Sequence, residues 1–512
     1  MRTFHFAPAS LALAVSLAAC GSPPPPAPPP PPAPAPAVTP AAPVAATPPK
    51  AEPPAPLAAK PSPFPAVVKK TLANGLRVSV VEAHALPVLE VRVVVHAGSG
   101  FGAPGVSEIT GEMLKEGGTR AHSAPEIVKR VETLGSQLSV DVGEDVTVLG
   151  MGVVKGQLAD ALDVLGEVVR TPRFDGAELT RIKAKLTDEA QENARSNGSW
   201  MATRTLFHTL FPAASPYANY GVVPAEIAKV DGAAIRDFHK KLYVPANVEI
   251  VVAGDTDVDG AEKAIEKAFG DWTVKGAAAS PKVEYPAPTP PDATRVIVAN
   301  RPKSVQSDVI VTGLLPERHV SDWPADRAAL QVLGGTGTGR LFQDVREKRS
   351  LAYRADARYL ELGHGPQPLL AYAGTQAPKT AEAVQGILEN LAGMRATPPS
   401  DEEVATARRF LSDIFAVRME TVGAIADMVS QLRALDLPDD YWDTYRTALR
   451  ALSTADVDAK AASIFPADRA LVIVSGDADV IADSLTRFGE VTVVDPEHDF
   501  KVLKTLPKSA AK

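Results

Sequence analysis

The feature that most constrains this chain is an internal repeat. Pro245 and Pro466 stand 221 residues apart, and Gly254-Asp255 and Gly476-Asp477 stand 222 apart. Thr171-Pro172 and Thr397-Pro398, each ahead of a helical pattern, repeat at 226. A period of about 220 residues matches a whole domain rather than a solenoid unit. The chain therefore reads as two similar domains, which suits its 512 residues.

Each copy mixes strand and helix patterns. In the first, Asn74-Gly75 lies between β-favouring residues and predicts a hairpin. Strands are expected at 78–81, 88–96, within 138–154 and at 248–253. Helices are expected at 105–116, 124–134, 156–169, 176–195 and 232–241. The second copy predicts strands at 294–299, 307–312 and 471–475, and helices at 325–333 and 401–420. The fold class is α+β: two homologous domains, each a mostly antiparallel sheet packed with helices. The expected boundaries are 66–275 and 294–495, with a Pro/Ala-rich connection at 276–293 and a tail at 496–512.

The start of the chain follows different rules. Arg2, an apolar run and Leu17-Ala18-Ala19-Cys20-Gly21 resemble a bacterial lipoprotein signal, with 1–19 removed and Cys20 acylated. The apolar run is too short to span a bilayer. Several acyl chains together give stable anchoring. No Asp follows Cys20, which by resemblance favours the periplasmic face of the outer membrane. Much of the proline, 47 residues in all, lies in the stretch up to 65 that follows. Such a segment buries no core and favours extended polyproline II, a stalk that at about 3.1 Å per residue reaches on the order of 100 Å. Cys20 is the only cysteine, so no intrachain disulfide or cysteine-ligated zinc site can form. Net charge is −8 with no basic stripe, and no nucleic-acid partner is expected.

The motifs supply a family. Leu72-x-Asn74-Gly75-Leu76, the strand pair, Gly105-Val106-Ser107 opening a helix and Gly117-Gly118-Thr119 closing it resemble the opening of the insulinase/pitrilysin peptidases, which include the mitochondrial processing peptidases. The run from Gly339 through Arg340-Leu341-Phe342 to Tyr353 resembles that family's C-terminal signature. Active members carry His-x-x-Glu-His on a helix, with two imidazoles on one face to hold Zn²⁺ and a carboxylate to activate its water. Here those five positions are Glu108-Ile109-Thr110-Gly111-Glu112. Both ligand histidines and the catalytic Glu are missing, and Glu189 falls at the third-ligand position. None of the nine histidines forms a replacement pair four residues apart. Glu108 and Glu112 read either as solvated helix residues or, with Glu189, as a carboxylate site for a hard cation. Restoring both histidines and the Glu is expected to recover zinc binding if Glu189 is well placed.

In active relatives an Arg and a Tyr seven residues apart reach from the C-terminal half to the substrate carbonyl. Arg346 and Tyr353 keep that spacing. Alternatively, Arg346 belongs to a charged helix and Tyr353 to a strand. The family's substrate-binding strand edge corresponds to 135–147, with Ser139 where an Asn is expected. The resemblance implies a non-catalytic subunit with no cofactor of its own. It would complete a zinc-bearing partner with an intact motif and help bind unfolded peptide. The alternatives are a peptide-binding or scaffolding protein of the cell envelope, and an enzyme built on a carboxylate metal site.

Overall fold

The computed structural model describes residues 62–274, 283–466 and 468–509. The expected signal segment 1–19, Cys20 and the expected stalk up to residue 61 lie outside them. The first half runs β1 (Val68–Thr71), β2 (Arg77–Glu82), β3 (Val88–Val95), α1 (Val106–Glu116), α2 (Ala124–Thr133), β4 (Ser139–Val142), β5 (Thr147–Val154), α3 (Leu158–Arg170), α4 (Gly176–Ser196), α5 (Gly198–Leu210), α6 (Pro224–Lys229), α7 (Gly232–Leu242), β6 (Val248–Gly254) and α8 (Val258–Phe269). The second half runs β7 (Arg295–Asn300), β8 (Gln306–Leu315), α9 (Trp323–Gly334), a wide helical turn at Phe342–Lys348, β9 (Ala352–Tyr359), β10 (Gln367–Gln376), α10 (Thr380–Ala396), α11 (Asp401–Arg418), α12 (Val422–Ala434), α13 (Tyr441–Ala451), α14 (Thr454–Ile464), β11 (Leu471–Gly476), α15 (Ala478–Leu485), β12 (Glu490–Asp495) and β13 (Lys501–Leu506).

The repeat is visible in the sheets. The first has the order β1-β2-β6-β3-β5-β4 and the second β13-β12-β7-β11-β8-β10-β9. From β2 and β7 onward the two orders correspond strand for strand. The β2/β6, β7/β11 and β7/β12 pairs are parallel, and the other ladders are antiparallel. Asn74 and Gly75 make the β1–β2 turn. Gly75 has φ +88°, a conformation other residues rarely adopt. The Asn74 amide donates to the Phe269 carbonyl at 2.7 Å, tying the turn to the end of α8. Residues 501–506, within the expected tail, form β13. Its side chains are almost all exposed, so no burial pattern marks it and only pairing with β12 defines it.

The halves interlock. Alternation in β3 sends Leu89, Val91, Val93 and Val95 into the first half's own core. Val94, with Val251 and Ala253 of β6, faces the other way, into the second half's core beside Ile425, Val429 and Leu432 of α12. Reciprocally, Ala202, Leu206 and Phe207 of α5 share a core with Ile310 of β8 and Ile473 of β11. Helices α5 and α12 begin at Gly198 and Val422, 224 residues apart, so they are repeat equivalents that have crossed over. Each sheet has one face covered by the opposite half. The described residues form one compact unit. Among the described residues, no helix is long and apolar enough to cross a membrane.

Candidate functional site

Helix α1 carries Glu108, Gly111 and Glu112, the residues that the sequence resemblance sets at the zinc-motif positions. Ile109, Met113 and Leu114 bury one stripe of it in the first-half core. Glu108 is half-buried in the first turn and accepts from the Ser107 hydroxyl at 2.8 Å. Burial pushes its carboxyl above the usual range, against the hydrogen bonds that favour its charge, and the charge of Glu226 pushes the same way. The native state therefore holds this proton more tightly than the unfolded chain. The stability Glu108 supplies is present below its ordinary value and is lost as pH rises through its folded value. Glu108→Gln, which keeps the shape without the charge, is expected to stabilise the protein at pH 7 by about 1 kcal/mol. It should also flatten the pH dependence of the denaturant midpoint. An unchanged midpoint at pH 7 counts against a strained Glu108 carboxylate.

Gly111, where the catalytic Glu would stand, has been closed over by packing. A Cβ built there would lie 2.6 Å from Val142 Cγ2 and 3.5 Å from Val140 Cγ1, both on β4. No carboxylate can project from this position without moving that strand. Gly111→Glu is expected to cost about 1–3 kcal/mol through overpacking. Val142→Ala beside it should recover part of that loss, read as paired denaturation midpoints.

The would-be ligands do not converge. Glu112 binds the Lys185 ammonium of α4 at 2.7 Å, and the same nitrogen binds Glu116 at 2.7 Å. Partial burial works against the charge on Lys185, but the two carboxylates overcome it and raise its affinity for the proton. Glu189, one turn further along α4, is exposed and has no bonded partner among the described residues. Among the described residues, no three His, Cys, Asp or Glu side chains gather as a metal would require. The expected three-carboxylate site is thus not assembled, because a lysine satisfies one member electrostatically and another faces solvent. The donor set does not fit zinc. Restoring the three motif residues leaves Lys185 between α1 and α4, so the zinc recovery expected from sequence now also requires replacing Lys185.

Strand β4 is the edge of the first sheet and pairs only with β5. Its side chains alternate. Val140 and Val142 meet α1, whereas Ser139 and Asp141 line a cavity of about 440 Å³ together with Arg92, Asp427, Ser430 and Gln431. Ser139, the expected substrate-edge residue, therefore faces the second half's α12 rather than the degenerate motif.

Arg346 and Tyr353 come together. Leu341 and Val345 anchor the wide turn in the core. Arg349 fixes its outer side by bonding Asp344 at 2.9 Å and Glu389 of α10 at 2.6 Å. Ser350, at φ +52°, then reverses the chain into β9. The result stacks the Arg346 guanidinium 4.5 Å from the Phe342 ring centroid and 5.1 Å from that of Tyr353. Tyr353 is 86% exposed, and among the described residues the only ion pair to Arg346 is a 3.4 Å contact with its neighbour Glu347. Arg346 sits in a helical turn and Tyr353 in a strand. Neither side chain hydrogen-bonds to α1.

Sequence reasoning missed Lys185, although a lysine one turn before the third-ligand carboxylate was a readable signal. It also missed Asp145 in the β4–β5 turn, which accepts from the Tyr217 hydroxyl at 2.7 Å and from the Gly363 amide of the second half at 2.8 Å. No motif announced that junction.

A duplicated α+β body, with a degenerate metal helix in its first half and an Arg/Tyr pair in its second, defines a two-lobed peptidase homologue. This chain belongs to the insulinase family. Residues 77–213 match "Insulinase (Peptidase family M16)" and residues 229–411 match "Peptidase M16 inactive domain". An uncharacterized zinc protease of Bacillus subtilis, YmxG, is 25% identical over 422 residues, covering 80% of this chain and 98% of its own. The crystal structure of a peptidase M16 inactive domain from Pseudomonas fluorescens superposes with TM-score 0.73 at 25% identity, covering 80% of this chain and 98% of that one. A protease from Helicobacter pylori shares the fold with TM-score 0.74 at 20% identity, covering 81% of this chain and 100% of that one.

Proposed function

We propose that this chain is the non-catalytic subunit of a heteromeric cell-envelope metallopeptidase. It contributes peptide-binding surface, and it supplies Arg346 and Tyr353 to a family partner that carries the zinc. The carrying observation is an asymmetry. The first-half site is packed shut by Val142 on Gly111 and neutralised by Lys185. The second-half pair is assembled, with Tyr353 exposed and Arg346 half-exposed, and among the described residues it is bound to no carboxylate of another element. A guanidinium and a phenol held together suit a developing oxyanion, whose charge they can meet without rearranging. Cys20 remains the proposed lipid attachment site, with the chain at the periplasmic face of the outer membrane and its zinc only in the partner.

The test is co-purification from native membranes. The expected result is a stoichiometric relative with an intact His-x-x-Glu-His helix and chelator-sensitive peptide cleavage by the complex. This chain alone should bind no stoichiometric zinc. Recovery without any such relative, and without cleavage, would favour a scaffolding protein instead.

A further inference from the structure

We propose that the groove between β4 and α12 is a specificity pocket for a cationic side chain of an extended peptide added to the free edge of β4. The inference rests on the reading that this subunit binds peptide, and it adds which peptides it selects. Its basis is geometric. Among the described residues no strand pairs with β4 on the side away from β5, so that edge has backbone donors and acceptors available for one more strand. A strand added there would send alternate side chains to the two faces of the sheet. On one face Val140 and Val142 meet α1 at Gly111. On the other the cavity of about 440 Å³ opens beside Ser139 and Asp141, with Asp427 and Gln431 of α12 as its far wall.

The charge of that cavity sets its preference. Among the described residues Arg92 is its one cation, and it is already spoken for by Glu90 at 2.7 Å and Asp427 at 2.8 Å. Asp141 is exposed and has no bonded partner among the described residues. Glu90, Arg92, Asp141 and Asp427 together leave two negative charges in excess. Gly150 makes the space: a Cβ there would lie 2.7 Å from Ser139 Oγ and 3.2 Å from Arg92 Cδ. A Lys or Arg side chain entering the groove would pair with Asp141 while its stem lies along Val146 and Val148. An acidic side chain would meet like charge.

The experiment titrates the full chain with labelled unfolded peptides that differ only by Arg, Gln or Glu at one central position, read by fluorescence anisotropy. The Arg peptide is expected to bind about fivefold more tightly than the Gln peptide, a difference that shrinks with added salt. Asp141→Asn should remove the preference, and Asp141→Lys should invert it toward the Glu peptide. Asp141 is exposed, so both variants should fold. The proposal is overturned if the three peptides bind alike, if none binds, or if Asp141→Asn leaves the order unchanged. Loss of the charge preference with Arg346-dependent turnover intact would remove this inference and leave the subunit assignment standing.

Discussion

With Arg346 replaced by Ala, the reconstituted pair is expected to cleave peptide about 100-fold more slowly at saturating substrate while still eluting as one complex in gel filtration. The size follows from where the group would act. A donor aimed at charge that exists only in the transition state changes turnover far more than substrate affinity. Arg346 is suited to that role because little binds it here. Its ion pair to Glu347 is 3.4 Å long and it lies over the rings of Phe342 and Tyr353. Tyr353→Phe removes one hydroxyl from the same pair while keeping the ring that supports Arg346, so it should also lower turnover without unseating the guanidinium. Arg349 is the control. It bonds Asp344 and Glu389, so Arg349→Ala should loosen the turn and lower stability along with activity. If the Arg346 and Tyr353 variants assemble and cleave at the unmutated rate, the complementation reading is finished.

The sequence made the repeat, the central strands and helices such as α3, α4 and α11 legible because each obeys a simple rule. Strand β3 alternates, Ile250–Ala253 of β6 and Leu471–Val474 of β11 are short apolar runs ahead of a Gly-Asp, and Asn74-Gly75 announces its own turn. Helix α5 escaped for the opposite reason. It is covered on several sides, with Thr203, Arg204 and Thr205 buried beside Leu206 and Phe207, so it shows no single apolar stripe. Its counterpart α12 and the paired strands β9 and β10 also went unread. The exchange of α5 and α12 depends on contacts between residues more than 80 positions apart, which no local window contains. At the site, the missing ligands could be read directly from residues 108–112. That two valines had closed over Gly111 could not, since that fact belongs to the packing of α1 against β4.

The exchanged helix also sets the largest stability effect. Replacing Arg433 with Met should destabilise the protein by about 3–5 kcal/mol. Arg433 ends α12 and enters the first half almost fully buried, with 8% of its side chain exposed. There its Nε lies 2.8 Å from Glu249 on β6 and donates to the Ser79 hydroxyl on β2 at 3.2 Å. Its Nη2 meets Asp439 at 2.6 Å, and Lys69 of β1 holds that carboxylate from the other side at 2.7 Å. Removing the guanidinium leaves the buried Glu249 with the Ser79 hydroxyl at 2.5 Å and only a 3.5 Å contact to Arg77. That uncompensated charge, rather than the lost pair, carries most of the cost. The double variant Arg433→Met with Glu249→Met should accordingly be more stable than Arg433→Met alone, although it lacks one more polar contact. Denaturant titration of the three proteins measures both quantities. Because α12 covers one face of the first sheet and α5 one face of the second, both halves should lose structure in a single transition. A loss below about 1 kcal/mol, or a double variant weaker than the single, would mean that this ion cluster does not fasten the two halves together.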